Sequence, residues 1–204
     1  MEAEVLSRHH WDAQYQANRQ PWETGQPSSE LRRVLDEYSV RPCRAVELGC
    51  GTGSSAVWLA SQGFEMTAVD LSPLAIHRSR QRARVAAVSV NFLAADVTDP
   101  AVLSDRFDFF FDCGCYHAVR LADGPGYPRV IERVARPGAL GLVLMGNAAE
   151  PEDDIGPPVL EEWQVRAEWG RGFDILHLRS FRFDPRREGE RRYLGWSCGL
   201  RRKS

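Results

Sequence analysis

Three acids and three glycines carry most of the chemistry this chain can be expected to perform. Glu47, Asp70 and Asp96 stand in "AVELGCGTG", "TAVDLS" and "LAADVT", each closing a short apolar run. Gly49, Gly51 and Gly53 follow the first acid at every second position. Bare backbone at such a turn lets a ligand approach closely, and the helix that follows presents its first N–H groups to that ligand. A dinucleotide fingerprint also has three glycines, but it spaces the second and third three apart for a pyrophosphate. Here they are two apart, and Glu47 would repel a pyrophosphate, so an ammonium or sulfonium ligand suits the turn better. Asp70 lies about 20 residues past the first glycine, where a carboxylate takes both hydroxyls of a ribose. Asp96 is positioned to accept a hydrogen bond from an exocyclic adenine amine.

A second group lies in "FDFFFDCGCYHAV". Its spacing puts Asp112 at the end of an apolar run and predicts that Cys113, Cys115, Tyr116 and His117 are exposed beside the reacting end of the ligand. An alcohol or amine acceptor would need Asp112, Tyr116 or His117 to take its proton, whereas a thiolate, selenolate or halide would need no base. Cys113-x-Cys115 with His117 also spells a soft-metal tripeptide, but no second cysteine pair accompanies it, so buried, inert cysteines are expected and no metal.

The elements that must position these groups alternate. "RAVELG", "EMTAVD", "VNFLAAD", "FDFFFD" and "ALGLVLM" read as five strands. Helical patterns stand between them: "SSAVWLASQG" closed by Gly63, "LSPLAIHRSRQRARVA" with Ser72 as cap and Pro73 in the first turn, and "YPRVIERVA" ended by "RPG". "SSELRRVLDEY", capped by Ser28 or Ser29, is a further helix ahead of the first strand. Such alternation predicts a parallel sheet with helices on both faces and a ligand at the carboxyl ends of the strands. "FDILHLRSFRF", the turn "DPRREGE" and "RRYLGWSCGL" read as two long strands in a hairpin, giving an α/β, Rossmann-like, seven-stranded, mostly parallel sheet with a C-terminal antiparallel hairpin. "GNAAEPEDDIGPP" reads as a loop over the site.

The 204 residues fit one domain, with residues 1–40 as an N-terminal lid and helix and 41–204 as the catalytic core. A net charge of -2 argues against a nucleic-acid partner. No stretch approaches the roughly 20 apolar residues of a membrane span, and the five cysteines suggest no disulfide framework. A cytoplasmic protein acting on a small molecule, as a monomer or weak homodimer, is the expectation. Arginines 182, 186, 187, 191 and 192 read as a solvated hairpin, and Trp163, Trp169 and Trp196 as core or lid packing.

"VELGCGTG", "AVDLS" and "AADV", in that order, resemble the motifs of class I S-adenosylmethionine-dependent methyltransferases over residues 44–145. The N-terminal "PWETGQP" and the ending "YLGWSCGLRRK" resemble the thiopurine and thiol, tellurite-resistance and halide methyltransferases. The resemblance implies S-adenosyl-L-methionine as cofactor. It implies that Glu47, Gly49, Cys50, Gly51 and Gly53 lie against its methionine part, Asp70 and Leu71 against the ribose, Asp96 and Val97 against the adenine, and that Trp22 and Cys113 also line the site. One departure matters: thiopurine enzymes carry an arginine after the fourth-strand acid, where this chain has Cys113. The implied activity is methyl transfer to a thiol or other soft nucleophile. O- or N-methylation, a nicotinamide-dependent oxidoreductase and a noncatalytic cofactor-binding protein are the alternatives.

Overall fold

A computed structural model describes residues 7–17, 20, 22–99, 101–123, 126–150 and 157–204. Two helices come first, α1 (Arg8–Gln16) and α2 (Ser29–Glu37). The alternating part follows: β1 (Arg44–Leu48), α3 (Ser54–Ser61), β2 (Glu65–Asp70), α4 (Pro73–Val85), β3 (Asn91–Ala94), β4 (Phe107–Cys113), α5 (Cys115–Asp123), α6 (Tyr127–Val134) and β5 (Ala135–Asn147). The chain closes with β6 (Val159–Leu160), α7 (Glu162–Trp169), β7 (Phe173–Arg182) and β8 (Leu194–Arg202). The sheet runs β3-β2-β1-β4-β5-β8-β7, and β6 pairs with β5. The first five strands of that order are parallel, while β8 is antiparallel to both β5 and β7.

The β4 sequence shows why the sheet is covered on both faces. Phe109 and Phe111 enter the apolar cluster made with α2, α3 and α4, whereas Phe107 and Phe110 enter the cluster made with α5, α6 and α7. A strand apolar on both sides is stable only between two helical layers. Gly141 pairs with Phe110 across β5, and a Cβ there would sit 2.1 Å from its ring, so the bare backbone makes room for the aromatic.

The expected sheet is present, with corrections at its connections. The "RPG" after α6 is not a break: β5 starts at Ala135, and the register shifts where the chain turns through Gly138 at φ +81°. The segment expected as a loop over the site, 146–158, leaves the end of β5 and leads into β6, which pairs with β5; its residues 151–156 lie outside the described residues. Helices α1, α5 and α7 were not foreseen. Ser28 makes no side-chain cap for α2; Asp184 of the hairpin loop accepts Ser29 N at 2.8 Å and Ser29 Oγ at 2.7 Å. Trp169 is fully buried among Tyr116, Tyr127 and Phe173, Trp196 donates from Nε1 to Leu160 O at 2.9 Å, and Trp163 is 68% exposed on α7. The hairpin arginines pair locally, Arg191 with Glu150 and Arg182 with the carbonyl of Arg192.

Candidate active site

From β1 the chain moves outward to β2 and β3, then returns to the other side of β1 to form β4. Ligands bind at the carboxyl ends of strands where the order reverses in this way. Glu47 and Asp70 lie in the last turns of backbone of β1 and β2, and Asp96 lies just past β3. Strands are spaced about 4.8 Å apart, so the rim from Glu47 to Asp96 spans roughly 10 Å, enough for a nucleoside laid across three strand ends.

The glycine turn is bare for two reasons. Gly49, Gly51 and Gly53 all have positive φ, at +67°, +54° and +79°, a region closed to most side chains. Protein also packs against the turn. A Cβ at Gly49 would lie 2.4 Å from Cys115 Cβ of α5, and one at Gly53 would lie 2.7 Å from Ser79 Cβ of α4. At Gly51 the neighbour is the Tyr15 hydroxyl of α1, 3.0 Å from a Cβ position.

Each acid is held differently. Asp70 is 8% exposed; Oδ2 accepts Gly51 N at 2.8 Å and Oδ1 accepts Ser72 N at 2.9 Å. Burial pushes its pKa up to about 6, and those two N–H groups oppose the shift. Glu47 is buried at the end of β1 and leaves Oε2 with no partner. Burial, together with Asp112, Asp70 and Glu23, raises its pKa well above the carboxylate range. Asp96 is exposed, and its Oδ1 accepts Thr98 N at 2.8 Å and Thr98 Oγ at 2.7 Å. Of the other residues expected at the cofactor, Leu71 is half-buried beside Asp70, whereas the side chains of Cys50 and Val97 belong to the apolar clusters on opposite faces of the sheet. These two can therefore offer only backbone to a ligand.

The N-terminal segment is fastened over this rim by residues not singled out in the sequence. Asp12 of α1 accepts Leu74 N at 3.3 Å and the Ser72 hydroxyl, adding an acid at the N-terminus of α4, where the helix dipole favours one. Tyr15 is 3% exposed, and burial followed by the Asp70 charge raises its pKa. Trp22 is 50% exposed and packs edge-on to Trp11 with ring centroids 5.8 Å apart. Glu23 accepts Ser54 Oγ at 3.0 Å and the Thr52 hydroxyl. Arg82 locks that junction, donating to Thr52 O, Thr52 Oγ and Gly25 O, each at 3.0 Å. No motif marks Glu23 or Arg82; their partners come from elements about 30 and 57 residues away.

The reacting end departs most from expectation. Tyr116 and His117, expected to be exposed, are buried, Tyr116 completely, and Asp112 is completely buried beside them. Asp112 caps α5, accepting Cys115 N at 3.0 Å and Tyr116 N at 3.0 Å, and it also accepts the Tyr127 hydroxyl at 2.5 Å. Burial pushes its pKa up to about 7 against those bonds. The Tyr116 hydroxyl donates to Glu168 of α7, inside the aromatic cluster. His117 is 7% exposed, its Nδ1 accepts Gly146 N at 3.0 Å, and burial alone lowers its pKa to about 4. Cys113 is exposed and Cys115 half-buried. Helix formation explains these changes: the "CYHAV" segment winds as α5, so consecutive side chains point around a helix, and the apolar ring of Tyr116 turns inward. Among the described residues no cluster of His, Cys, Asp and Glu could hold a metal ion.

The residues present fit S-adenosylmethionine. An orphaned, buried carboxylate oxygen on Glu47 stands behind a turn bare of side chains at Gly49, Gly51 and Gly53, and two further acids follow along the rim. Comparison with known proteins agrees. Residues 45–138 match the methyltransferase domain family. Fold, rim and match together make the chain similar to the class I S-adenosylmethionine-dependent methyltransferases. It is 31% identical over 152 residues to 2-heptyl-1-hydroxyquinolin-4(1H)-one methyltransferase of Mycobacteroides abscessus, covering 74% of this chain and 66% of that protein. With Probable thiol methyltransferase 2 of Arabidopsis thaliana it is 28% identical over 152 residues, covering 72% and 65%. The chain thus spans just under two thirds of these two relatives. A solved structure from work on the conversion of a disulfide bond into a thioacetal group during echinomycin biosynthesis superposes with a TM-score of 0.78, at 26% identity over 96% of this chain and 93% of that one.

Proposed function

We propose that this protein transfers a methyl group from S-adenosylmethionine to a small-molecule acceptor, a thiol or other soft nucleophile. When bound, the cofactor supplies a methyl group on a sulfonium. Glu47 and the turn from Gly49 to Gly53 hold its methionine part, Asp70 with Leu71 its ribose, and Asp96 with the backbone at Val97 its adenine. Residues 1–40 form a lid on the core of 41–204 in one domain, with Trp22 and Tyr15 closing over the cofactor and excluding water.

One observation carries the choice of acceptor: none of the three groups expected to take a proton, Asp112, Tyr116 and His117, is free to do so. Asp112 is saturated by a helix N-terminus and a tyrosine, Tyr116 is buried against Glu168, and the Nδ1 lone pair of His117 is occupied. A nucleophile that arrives ionised needs no base, and in-line transfer then rests on positioning and exclusion of water. The thiol named for the Arabidopsis thaliana relative is an acceptor of this kind. The test is S-adenosylhomocysteine formation over a panel of thiols, chalcogen anions, halides, phenols and amines. Turnover on thiols or other anions is expected, and turnover confined to neutral alcohols or amines would overturn the acceptor reading. The net charge of -2 supports a small ligand rather than nucleic acid, in a cytoplasmic monomer or weak dimer. Among the described residues no helix is long and apolar enough to cross a membrane.

A further inference from the structure

The side chain of His117 is oriented by the backbone of β5. Gly146 N–H points at Nδ1 at 3.0 Å, so Nδ1 must accept and, in the neutral ring, the proton must sit on Nε2. Among the described residues the other ring nitrogen has no hydrogen-bond partner. The buried polar atoms lacking one, among the described residues, are Glu47 Oε2, Trp169 Nε1 and Arg179 Nε, so Nε2 is unpartnered without being sealed in. Gly114 keeps it open: a Cβ at that residue, which has φ +89°, would come within 3.4 Å of Nε2. The place is the right one for an acceptor. Cys115, two residues before His117, packs its Cβ into the space beside Gly49, so the first turn of α5 lies directly on the cofactor turn.

We propose that His117 Nε2–H and the opening beside Gly114 form the subsite for the anionic head of the methyl acceptor, with His117 acting as a neutral hydrogen-bond donor and never as a base. The inference rests on the soft-nucleophile reading above and narrows it to acceptors ionised before transfer. Its chemistry follows from the geometry. A ring whose Nδ1 lone pair is already used has no free lone pair for an acceptor's proton, but it has one N–H to give. Burial keeps the ring neutral at physiological pH, with its pKa lowered to about 4, so the donor is present throughout the working range. No proton moves at His117 during transfer: the anion supplies the electron pair for the new bond to the methyl carbon, and the sulfonium sulfur takes back the pair of the bond that breaks.

Two variants separate donor from base. His117→Gln keeps an N–H at the Nε2 position and cannot exchange a proton near neutral pH; His117→Asn keeps an acceptor for Gly146 N–H and loses the outward donor. The first readout needs no turnover. The protein loaded with S-adenosylhomocysteine is titrated with 4-nitrothiophenol, ionised at neutral pH, following the thiolate absorption band and the Nε2–H proton resonance. Wild type and His117→Gln should bind the thiolate with a shifted band. His117→Asn, folded by its melting curve, should bind about ten- to a hundredfold more weakly, the effect of one hydrogen bond to a charged group. In turnover of the same thiol, kcat/KM should follow that order, with His117→Gln within a few fold of wild type. Equal thiolate binding by wild type and His117→Asn would overturn the donor role, as would no binding to wild type. A loss of about 10²- to 10⁴-fold in His117→Gln, as large as in His117→Asn, would mark a base instead. The acceptor panel judges methyl transfer itself, so a protein that binds the thiolate through His117 yet methylates only amines would sink the function reading and leave the binding site standing.

Discussion

Asp70 does two jobs with one carboxylate. It ties Gly51 N–H and Ser72 N–H, which fixes the glycine turn and the start of α4. Asp70→Ala should therefore weaken S-adenosylhomocysteine binding about ten- to a hundredfold, and should also lower stability by about 1–3 kcal/mol because two buried N–H groups lose their acceptor. The pH dependence identifies the residue. A ribose hydroxyl donates to the ionised form, and the pKa of Asp70 is pushed up to about 6 by burial. Affinity in the wild type should thus fall as pH drops through 6, and calorimetry on Asp70→Ala between pH 5 and 8 should show that step removed. A step that persists in the variant would assign it to another acid.

At the scale of elements, α1 and the segment after it are held to the core by a few polar contacts rather than by a large apolar face. Only Tyr15 of α1 is buried. Glu23 joins the segment to Thr52, Ser54 and Arg82, all on or beside the cofactor turn. Glu23→Ala removes the acceptor for two hydroxyls and one guanidinium, and it should loosen the lid while leaving the core melting transition nearly unchanged. The expected result is faster hydrogen exchange in residues 8–25 and cofactor affinity lowered by about ten-fold, on the order of one charge-assisted hydrogen bond. Unaltered exchange in that segment would show that the lid is held by other contacts.

Among the described residues the molecule buries four acids, Glu30, Glu47, Asp70 and Asp112. Asp70 and Asp112 have folded pKa values raised to about 6 and about 7. A raised carboxylate binds its proton more tightly folded than unfolded, so its stability contribution is complete below its unfolded pKa near 4 and is lost as pH rises through the folded value. His117 and His177, both lowered to about 4, act in the opposite sense, but their effect is complete above their unfolded value near 6.5. Between pH 6.5 and 8 Asp112 is the group still titrating among these four. The melting temperature of the wild type should fall across that interval, and that of Asp112→Asn should stay nearly flat. Parallel slopes in the two proteins would show that Asp112 is already ionised at pH 6.5.

Five parallel strands, the closing hairpin and the three acids at strand ends were all legible in the chain, because each depends on a local pattern: apolar runs of strand length, helical spacing between them, and glycines where the backbone must turn with positive φ. The pairing of Asp112 with a helix N-terminus, the inward turn of Tyr116, and the filled lone pair of His117 were not legible. "DCGCYHAV" reads as an exposed rim until it winds into α5, and its buried face is set by α6 and α7, whose aromatic partners Tyr127 and Trp169 lie 11 and 53 residues further on from Tyr116. The Glu23–Thr52–Arg82 clamp was hidden for the same reason, since no local rule couples an acid ahead of the first strand to an arginine in the second crossover helix. Local propensity sets which residues form strands and turns, whereas the roles of polar side chains depend on which distant backbone groups and charges the packed sheet brings within hydrogen-bond reach.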